Sequence, residues 1–469
     1  MKSVTITLGN AVSRIDCERS TLHRLDSQLA VEDPGAMWAR QRNPSWDGFW
    51  HFVDVIRGTF PTGLRERVLE ILPLASVIDE RERPPTIKFN PKILDGITLA
   101  DHQCESVQKF LEVGNGVIGT SVGSGKTEAG IAIACHVHGQ CVWITHRKDL
   151  LRQTAERILL RTGETAGLIG DGCWDENTDG KKFLIVMPQT AVTDLQTYAE
   201  QVKNASVLIS DEVHTSSSAV SWFKISQLVP AYYRCGLTGS PSIGDPVRER
   251  RLEAATGKVL IHIRSGEMAE RGWITPAEVR YHKVYNTTLH GVDYATARRL
   301  LIEENPQRNA MIVELALEEA QSGRKTLIIC DTIRHAKIIS TILNGEHIRS
   351  RMLCGYHSSS VRSAAKRDFK SGVTEIVIST PVWDLGVDIP SLEVVILAAG
   401  GKSAVRVIQR AGRALRKFPG KKKATIHDFF DTGSMYTVRH SRMRMATCKT
   451  EGFEVVVPDA PSSTPTPIP

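Results

Sequence analysis

Short apolar stretches alternate with amphipathic, helix-period segments twice along this chain. In the first run the strands are expected near Val117, Val142, Phe183, Val207 and Tyr233; in the second, near Thr326, Met352, Ile376, Val394 and Thr425. Continuous apolar runs of this length, bounded by turn residues, suit strands buried on both faces, as crossover helices bury them in parallel sheets. The pattern therefore predicts an α/β chain with two parallel-sheet domains in tandem. A small α+β domain should precede them, with a turn at Asp33-Pro-Gly35 and a hinge at Arg81-Glu-Arg-Pro-Pro85. The join between the two sheets is expected between Tyr281 and Gly291, where the polar Asn286-Thr-Thr segment interrupts the pattern. The expected domains are 1–92, 93–285 and 286–445. A tail over 446–469 is expected to be mostly disordered, because its end is proline-rich.

Chemistry enters at Gly119-Thr-Ser-Val-Gly-Ser-Gly-Lys-Thr127, set between an apolar strand and the helical Glu128–Cys135 segment. Gly123 and Gly125, with Ser124 between them, let the loop turn its N–H groups toward phosphate oxygens, and the helix N-terminus adds positive partial charge. Lys126 can reach the β- and γ-phosphates of ATP, and the Thr127 hydroxyl can ligate Mg²⁺. The strict pattern has glycine where Thr120 stands. A second signature follows the apolar Val207-Leu-Ile-Ser210: Asp211-Glu212-Val213-His214. Carboxylates at a strand's C-terminal end sit where α/β sheets hold ligands. Asp211 is expected to hold Mg²⁺ and Glu212 to activate the attacking water. A third is Gln409-Arg-Ala-Gly-Arg-Ala-Leu-Arg416, expected on a helix that starts near Ser403. There Gln409, Arg413 and Arg416 share one face and can serve a γ-phosphate as arginine fingers.

With these motifs the chain resembles superfamily 2 helicases over residues 97–432. Leu99-Ala-Asp-His-Gln103 is similar to that family's adenine-reading motif, which makes Gln103 a nucleotide contact, although the usual arginine after the leucine is Ala100 here. Thr145–Leu150, Met187–Thr190, Leu237–Pro241, Leu327–Asp331 and Ser379–Asp388 resemble further motifs, and Asp211–His214 is of the DExH type. The resemblance implies two RecA-like domains. It implies nucleic-acid phosphate contacts from Arg147, Thr190 and Thr380, and nucleotide contacts from Gly386 and Asp388. Thr238 and Ser240 would couple the two ligands. Arg14–Thr21, Arg42–Gly48 and Phe60–Leu64 are similar to the N-terminal domain of UvsW-like phage helicases, which act on branched DNA. That domain mingles Trp38, Trp46 and Trp50 with Arg40, Arg42, His51 and Arg57, a mixture suited to stacking and phosphate contact. Core packing is the expectation for at least two of the three tryptophans.

Composition adjusts this picture only slightly. A length of 469 residues fits about three domains. No apolar stretch is long enough for a membrane span. Nine cysteines without a CxxC pair fit a reducing cytoplasm, a host's if the chain is phage-encoded. The Cys135–Cys141 segment has zinc-ligand residue types, but they straddle a helix end and a strand. The net charge of +7 is concentrated between Lys402 and Lys449, where Lys421–Lys423, Arg439, Arg442 and Arg444 suggest a nucleic-acid surface. The function expected is an ATP- and Mg²⁺-dependent DNA helicase or translocase. Its substrates would be forks, Holliday junctions, D-loops and other duplex–single-strand junctions in recombination, replication or repair, and it would act as a monomer. The alternatives are the motor subunit of a restriction or repair complex, an ATP-gated nucleic-acid clamp, or an RNA helicase.

Overall fold

The computed structural model describes residues 3–37, 43–121, 123–176, 178, 180–240, 244–346, 348–380, 389–401, 412 and 414–457. Contacts divide the chain into Met1–Thr120 with Gly125–His262, and Ser121–Ser124 with Ile263–Pro469.

The first unit begins with β1 (Thr5–Leu8), β2 (Val12–Asp16) and α1 (Arg19–Leu29), followed by the two-residue pair β3 (Val31–Glu32) and β4 (Phe49–Trp50). Then come β5 (Thr59–Pro61), α2 (Arg65–Ile71) and β6 (Ser76–Asp79), giving a four-stranded sheet of order β5-β2-β1-β6. Ile6, Ile15 and Phe60 face α1 and α2 from one side of that sheet and form a core with Leu22, Leu25, Leu64 and Val68. The expected turn is present: Gly35 N–H donates to Asp33 Oδ1 at 2.7 Å.

An eight-stranded sheet follows. Its elements are α3 (Asp101–Val113), β7 (Asn115–Thr120), α4 (Lys126–His136), β8 (Gln140–Ile144), α5 (Lys148–Thr162), β9 (Gly167–Gly170), β10 (Cys173–Trp174) and β11 (Phe183–Val186). The short α6 (Pro188–Ala191) and α7 (Leu195–Val202) lead to β12 (Ala205–Ser210), α8 (Val213–Ser216), α9 (Val220–Leu228), β13 (Tyr233–Thr238), α10 (Pro246–Thr256) and β14 (Val259–Ile263). The order is β10-β9-β11-β8-β12-β13-β7-β14, with β11, β8, β12, β13 and β7 parallel to one another. Alternation along β8 feeds two cores: Cys141 and Trp143 join one, Val142 and Ile144 the other. All five strands expected in this half are present.

The second unit runs α11 (Ser265–Glu270), β15 (Ala277–Val284), α12 (Tyr294–Arg298), α13 (Pro306–Gln321), β16 (Thr326–Ile329), α14 (Ile333–Leu343), β17 (Ser350–Leu353), α15 (Ser359–Ser371), β18 (Ile376–Ser379), β19 (Val394–Leu397), β20 (Ala424–Asp431), α16 (Met435–Thr450) and β21 (Glu454–Val456). Its parallel sheet has the order β17-β18-β16-β19-β20-β15-β21. The five strands expected here are present too, and the class is α/β with two RecA-like parallel sheets.

Three boundaries differ from the sequence reading. β15 pairs with β20 over its whole length, so the division falls between His262 and Ile263 and not at 285/286. β21 pairs with β15, which carries regular structure through Val456 instead of ending it at 445. The stretch expected to be a hinge is fastened: Arg83 donates to Tyr233 Oη at 3.0 Å and to Leu111 O at 2.8 Å, and Ile87 N–H donates to His136 O at 2.9 Å. The end of the tail, 458–469, lies outside the described residues.

Candidate functional site

β7 delivers the chain into the glycine-rich loop, and Gly125 closes it in the left-handed region, with φ of 80°. A Cβ there would fall 2.3 Å from Gln103 Nε2, so glycine is required both by conformation and by space. Gln103 itself is held at both ends of its amide: Oε1 accepts from Ala100 N–H at 2.8 Å, and Nε2 donates to Gly125 O at 3.0 Å. Both polar ends of the glutamine expected to contact the nucleotide are thereby bonded to the protein's own backbone. Lys126 and Thr127 open the first turn of α4, and Lys126 Nζ donates to Thr120 O at 3.1 Å. Ser124 is buried, and its N–H donates to Ser121 O at 3.3 Å.

β12 brings Asp211 and Glu212 to the C-terminal edge of the same sheet. Asp211 is 7% exposed. Burial and the adjoining Glu212 push its carboxyl well above the usual carboxylate range, and Lys126 together with the Glu212 N–H pulls it part of the way back. Glu212 N–H donates to Asp211 Oδ1 at 2.9 Å. Glu212 has φ of 48°, a left-handed conformation that a residue with a Cβ holds only when its surroundings enforce it. His214 Nδ1 lies 3.3 Å from Glu212 Oε2 and 2.8 Å from Thr238 Oγ1, which in turn accepts from Ser240 N–H at 3.0 Å. The end of β13 is thus linked by hydrogen bonds to the turn after β12. Burial lowers the pKa of His214, and that of His146 to about 4, so the imidazoles around Glu212 are neutral at neutral pH.

The remaining expected residues are not all brought together. Arg147 caps α5, half-buried and 3.7 Å from Asp149, and Thr190 lies half-buried in α6. Thr380 is 3% exposed, with its N–H donating to Leu353 O, so its side chain offers no surface. Gly386, Asp388, Gln409 and Arg413 lie outside the described residues. Arg416 is described, but not on a helix: Leu415 N–H donates to Gly412 O at 3.2 Å and residues 414–416 continue as turn and bend. The helical i, i+7 relation to Gln409 therefore does not extend to Arg416. Gly412 lies in that turn, and the chain does come close there: a Cβ on Gly123 of the glycine-rich loop would stand 3.8 Å from Gly412 O and 3.0 Å from Arg416 Cγ.

The basic cluster near the chain's end also divides. Arg439 and Arg442 are exposed on α16. Arg444 is 2% exposed and donates to the Asp428 carboxylate and to Phe429 O. Lys421 is held by three backbone carbonyls, and Lys423 pairs with Glu278 and Glu454. In the N-terminal domain His51 sits between Asp26 and Asp47, each at 2.7 Å. Trp50 donates to Asp33 and lies under Arg251, and Trp46 packs edge-on against Trp50. Both tryptophans are half-buried, and Trp50 packs against the domain's core, while Trp38, Arg40 and Arg42 lie outside the described residues. One functional neighbour gave no signal in the sequence: Arg248 on α10, whose guanidinium donates to the His214 carbonyl.

Two family models match. The helicase conserved C-terminal domain covers residues 307–418, and the type III restriction enzyme res subunit covers 96–243. The ATP-dependent DNA helicase uvsW of Enterobacteria phage T4 is 23% identical over 451 residues, covering 90% of this chain and 89% of that protein. A putative DNA 3'-5' helicase Rad25 of Halobacterium salinarum is 26% identical over 373 residues, 78% of this chain. This chain spans 60% of that relative's length. Among solved structures, Saccharomyces cerevisiae Dbp5 bound to RNA and ADP BeF3 has a TM-score of 0.53 at 17% identity, covering 76% of this chain and 93% of that one. A DUF1998 helicase MrfA bound to DNA has a TM-score of 0.58 at 16% identity, covering 80% and 53%.

Proposed function

The chain belongs to the superfamily 2 helicases, of the DExH type and similar to UvsW, and on that premise we propose that it is an ATP-dependent DNA helicase or translocase acting on branched DNA. The observation that carries the ATPase part is the convergence at one sheet edge of the Lys126 ammonium, the buried Asp211 carboxyl and the strained Glu212, with Gln103 tied to Gly125. In this reading Lys126 neutralises the β- and γ-phosphates, and Glu212 accepts the proton of the attacking water. Thr238 and Ser240 carry the state of that turn onward, through the His214 bond.

The donor set fits Mg²⁺. Asp211 presents a carboxyl whose ionised form is disfavoured by burial, and Thr127 a hydroxyl on the first turn of α4; one carboxylate and one hydroxyl beside substrate phosphates is how this ion is usually held. When bound, the ion supplies positive charge to the transferring phosphoryl group. Arg413 and Arg416 remain our candidates for arginine fingers and Gln409 for a further catalytic residue, and Gly386 and Asp388 our candidates for nucleotide contacts. Arg147, Thr190 and Thr380 are proposed as sequence-blind contacts to the DNA backbone, although Thr380 would first have to release its N–H from Leu353 O.

The branched-DNA part is supported by the uvsW relative, whose similarity extends over 90% of this chain and so reaches into the N-terminal domain. The test is ATP hydrolysis measured side by side with linear duplex, single strand, fork, four-way junction and RNA. Forks and junctions should stimulate most and be unwound. Stimulation by RNA alone would return the chain to the RNA-helicase reading. Stimulation without strand displacement would favour a clamp, or a motor awaiting another subunit.

A further inference from the structure

We propose that α10 is the element through which the N-terminal domain controls the ATP site, with Arg248 as a positioning residue for Glu212 and the Arg251–Trp50 stack as the joint. The proposal rests on the ATPase reading above. α10 follows the Thr238–Ser240 segment and is buried on opposite sides by different partners. Leu252 and Ala255 belong to the core of the eight-stranded sheet, whereas Ala254 belongs to the core of the N-terminal domain. Gly63 of that domain touches the helix backbone so closely that a Cβ would stand 2.1 Å from Glu253 O. Arg67 grips the Glu253 carboxylate at 2.7 Å, and Arg250 donates to Leu29 O at 2.9 Å. A helix seated this way moves with the N-terminal domain.

The same helix clasps the segment after the DExH turn. Arg248 donates to His214 O, and one turn on Arg251 donates to Ser218 O at 3.3 Å. The Arg251 guanidinium lies 3.9 Å from the centroid of the Trp50 ring, which is itself fixed by its bond to Asp33 at 2.6 Å. Glu212 at φ of 48° needs its neighbours to hold it, and two guanidiniums on carbonyls just downstream of it are such a hold. A shift of α10 therefore reaches the general base without passing through substrate.

The experiment measures ATP turnover, with and without forked DNA, for the full chain and for Arg248→Ala, Arg248→Lys, Trp50→Ala and Trp50→Phe. Arg248→Ala should lower kcat about 10- to 100-fold with KM for ATP little changed, as expected when an interaction matters in the transition state and not in binding. Arg248→Lys, which can still donate to the carbonyl, should recover part of that loss. Trp50→Ala should keep basal turnover and lose most of the stimulation by forks, while Trp50→Phe, which keeps a ring face under Arg251, should retain it. Hydrogen exchange over residues 211–218 should change on fork binding in the full chain and not in Trp50→Ala. A folded Trp50→Ala with full stimulation, or an Arg248→Ala with unchanged kcat, overturns the coupling alone. A wild-type chain that no DNA stimulates overturns the helicase reading and the coupling with it.

Discussion

Asp211 is costly to bury, and the cost has a direction. Its folded pKa lies above the ordinary value, so the folded state binds the proton more tightly than the unfolded chain does. The stability this group contributes is complete below an ordinary carboxylate pKa and is lost as pH rises through about 7. Asp211→Asn keeps the oxygen that accepts from Glu212 N–H and removes the charge. Without nucleotide or Mg²⁺, the variant should therefore melt higher than wild type at pH 8, by about 2–4 °C per kcal/mol recovered, and the gap should close toward pH 4. A variant that melts lower at pH 8 would show that the carboxylate is compensated in the fold. The same variant should lose turnover. Lys126→Ala should abolish hydrolysis and weaken ATP binding, whereas Glu212→Gln should abolish hydrolysis and still bind ATP, since it changes the base and not the cradle. Equal loss of binding in both would remove Glu212 from the role of base. Each of these residues could be singled out in the sequence because a glycine-rich loop after one apolar strand is paired with carboxylates after another. Arg248 was not, because an arginine on an amphipathic helix carries no mark of the carbonyl it will meet.

At the scale of elements, the buried parallel strands were the easiest to read. β7, β8, β11, β12 and β13, and β16, β18, β19 and β20, are buried along nearly all their length, whereas the edge strand β17 is only half-buried. β15 was misassigned for a physical reason. Its partners β20 and β21 lie far along the chain, and local periodicity reports how a strand is buried but not which sheet it enters. The basic stretch failed similarly, since a count of cations does not distinguish an exposed arginine from one inside a network. Arg444 ties α16 to β20 through Asp428, beside Arg308 on Asp431 at 2.7 Å. Removing one partner of such a buried pair leaves the other charge uncompensated, so Arg444→Ala should destabilise the second unit by about 3–5 kcal/mol. Arg439→Gln with Arg442→Gln should leave the melting temperature unchanged and, if that face meets DNA, weaken binding at low salt. Denaturant titration and DNA affinity, measured on both variants, separate the two roles. A stable Arg444→Ala with reduced affinity would restore the surface reading.

At the scale of the whole first unit, a deletion cannot separate the two roles proposed for the N-terminal domain. Removing residues 1–92 would uncover Ala254, the Glu253 carbonyl and the Phe223 ring that packs edge-on against Phe52. The truncated chain would lose its seat on α10 together with any DNA contact, and a loss of activity would not say which mattered. Surface charge offers a cleaner test. Arg14 on β2 and Arg19 and Arg24 on α1 are exposed and belong neither to the Trp50–Arg251 joint nor to the core. If the domain grips duplex beside a branch, each arginine on a phosphate displaces bound counterions, and log affinity falls against log salt with a slope of about −0.9 per phosphate. Changing all three to glutamine should flatten that slope by up to about 3 and reduce fork affinity most at low salt. The melting temperature should be unchanged, because exposed charges far from the core contribute little to stability. Basal ATP turnover should hold as well, since α10 and its clasp are intact. A triple variant with the wild-type slope and the wild-type preference for forks would leave this domain with a mechanical role alone, a brace on α10 whose DNA contacts, if it has any, lie elsewhere.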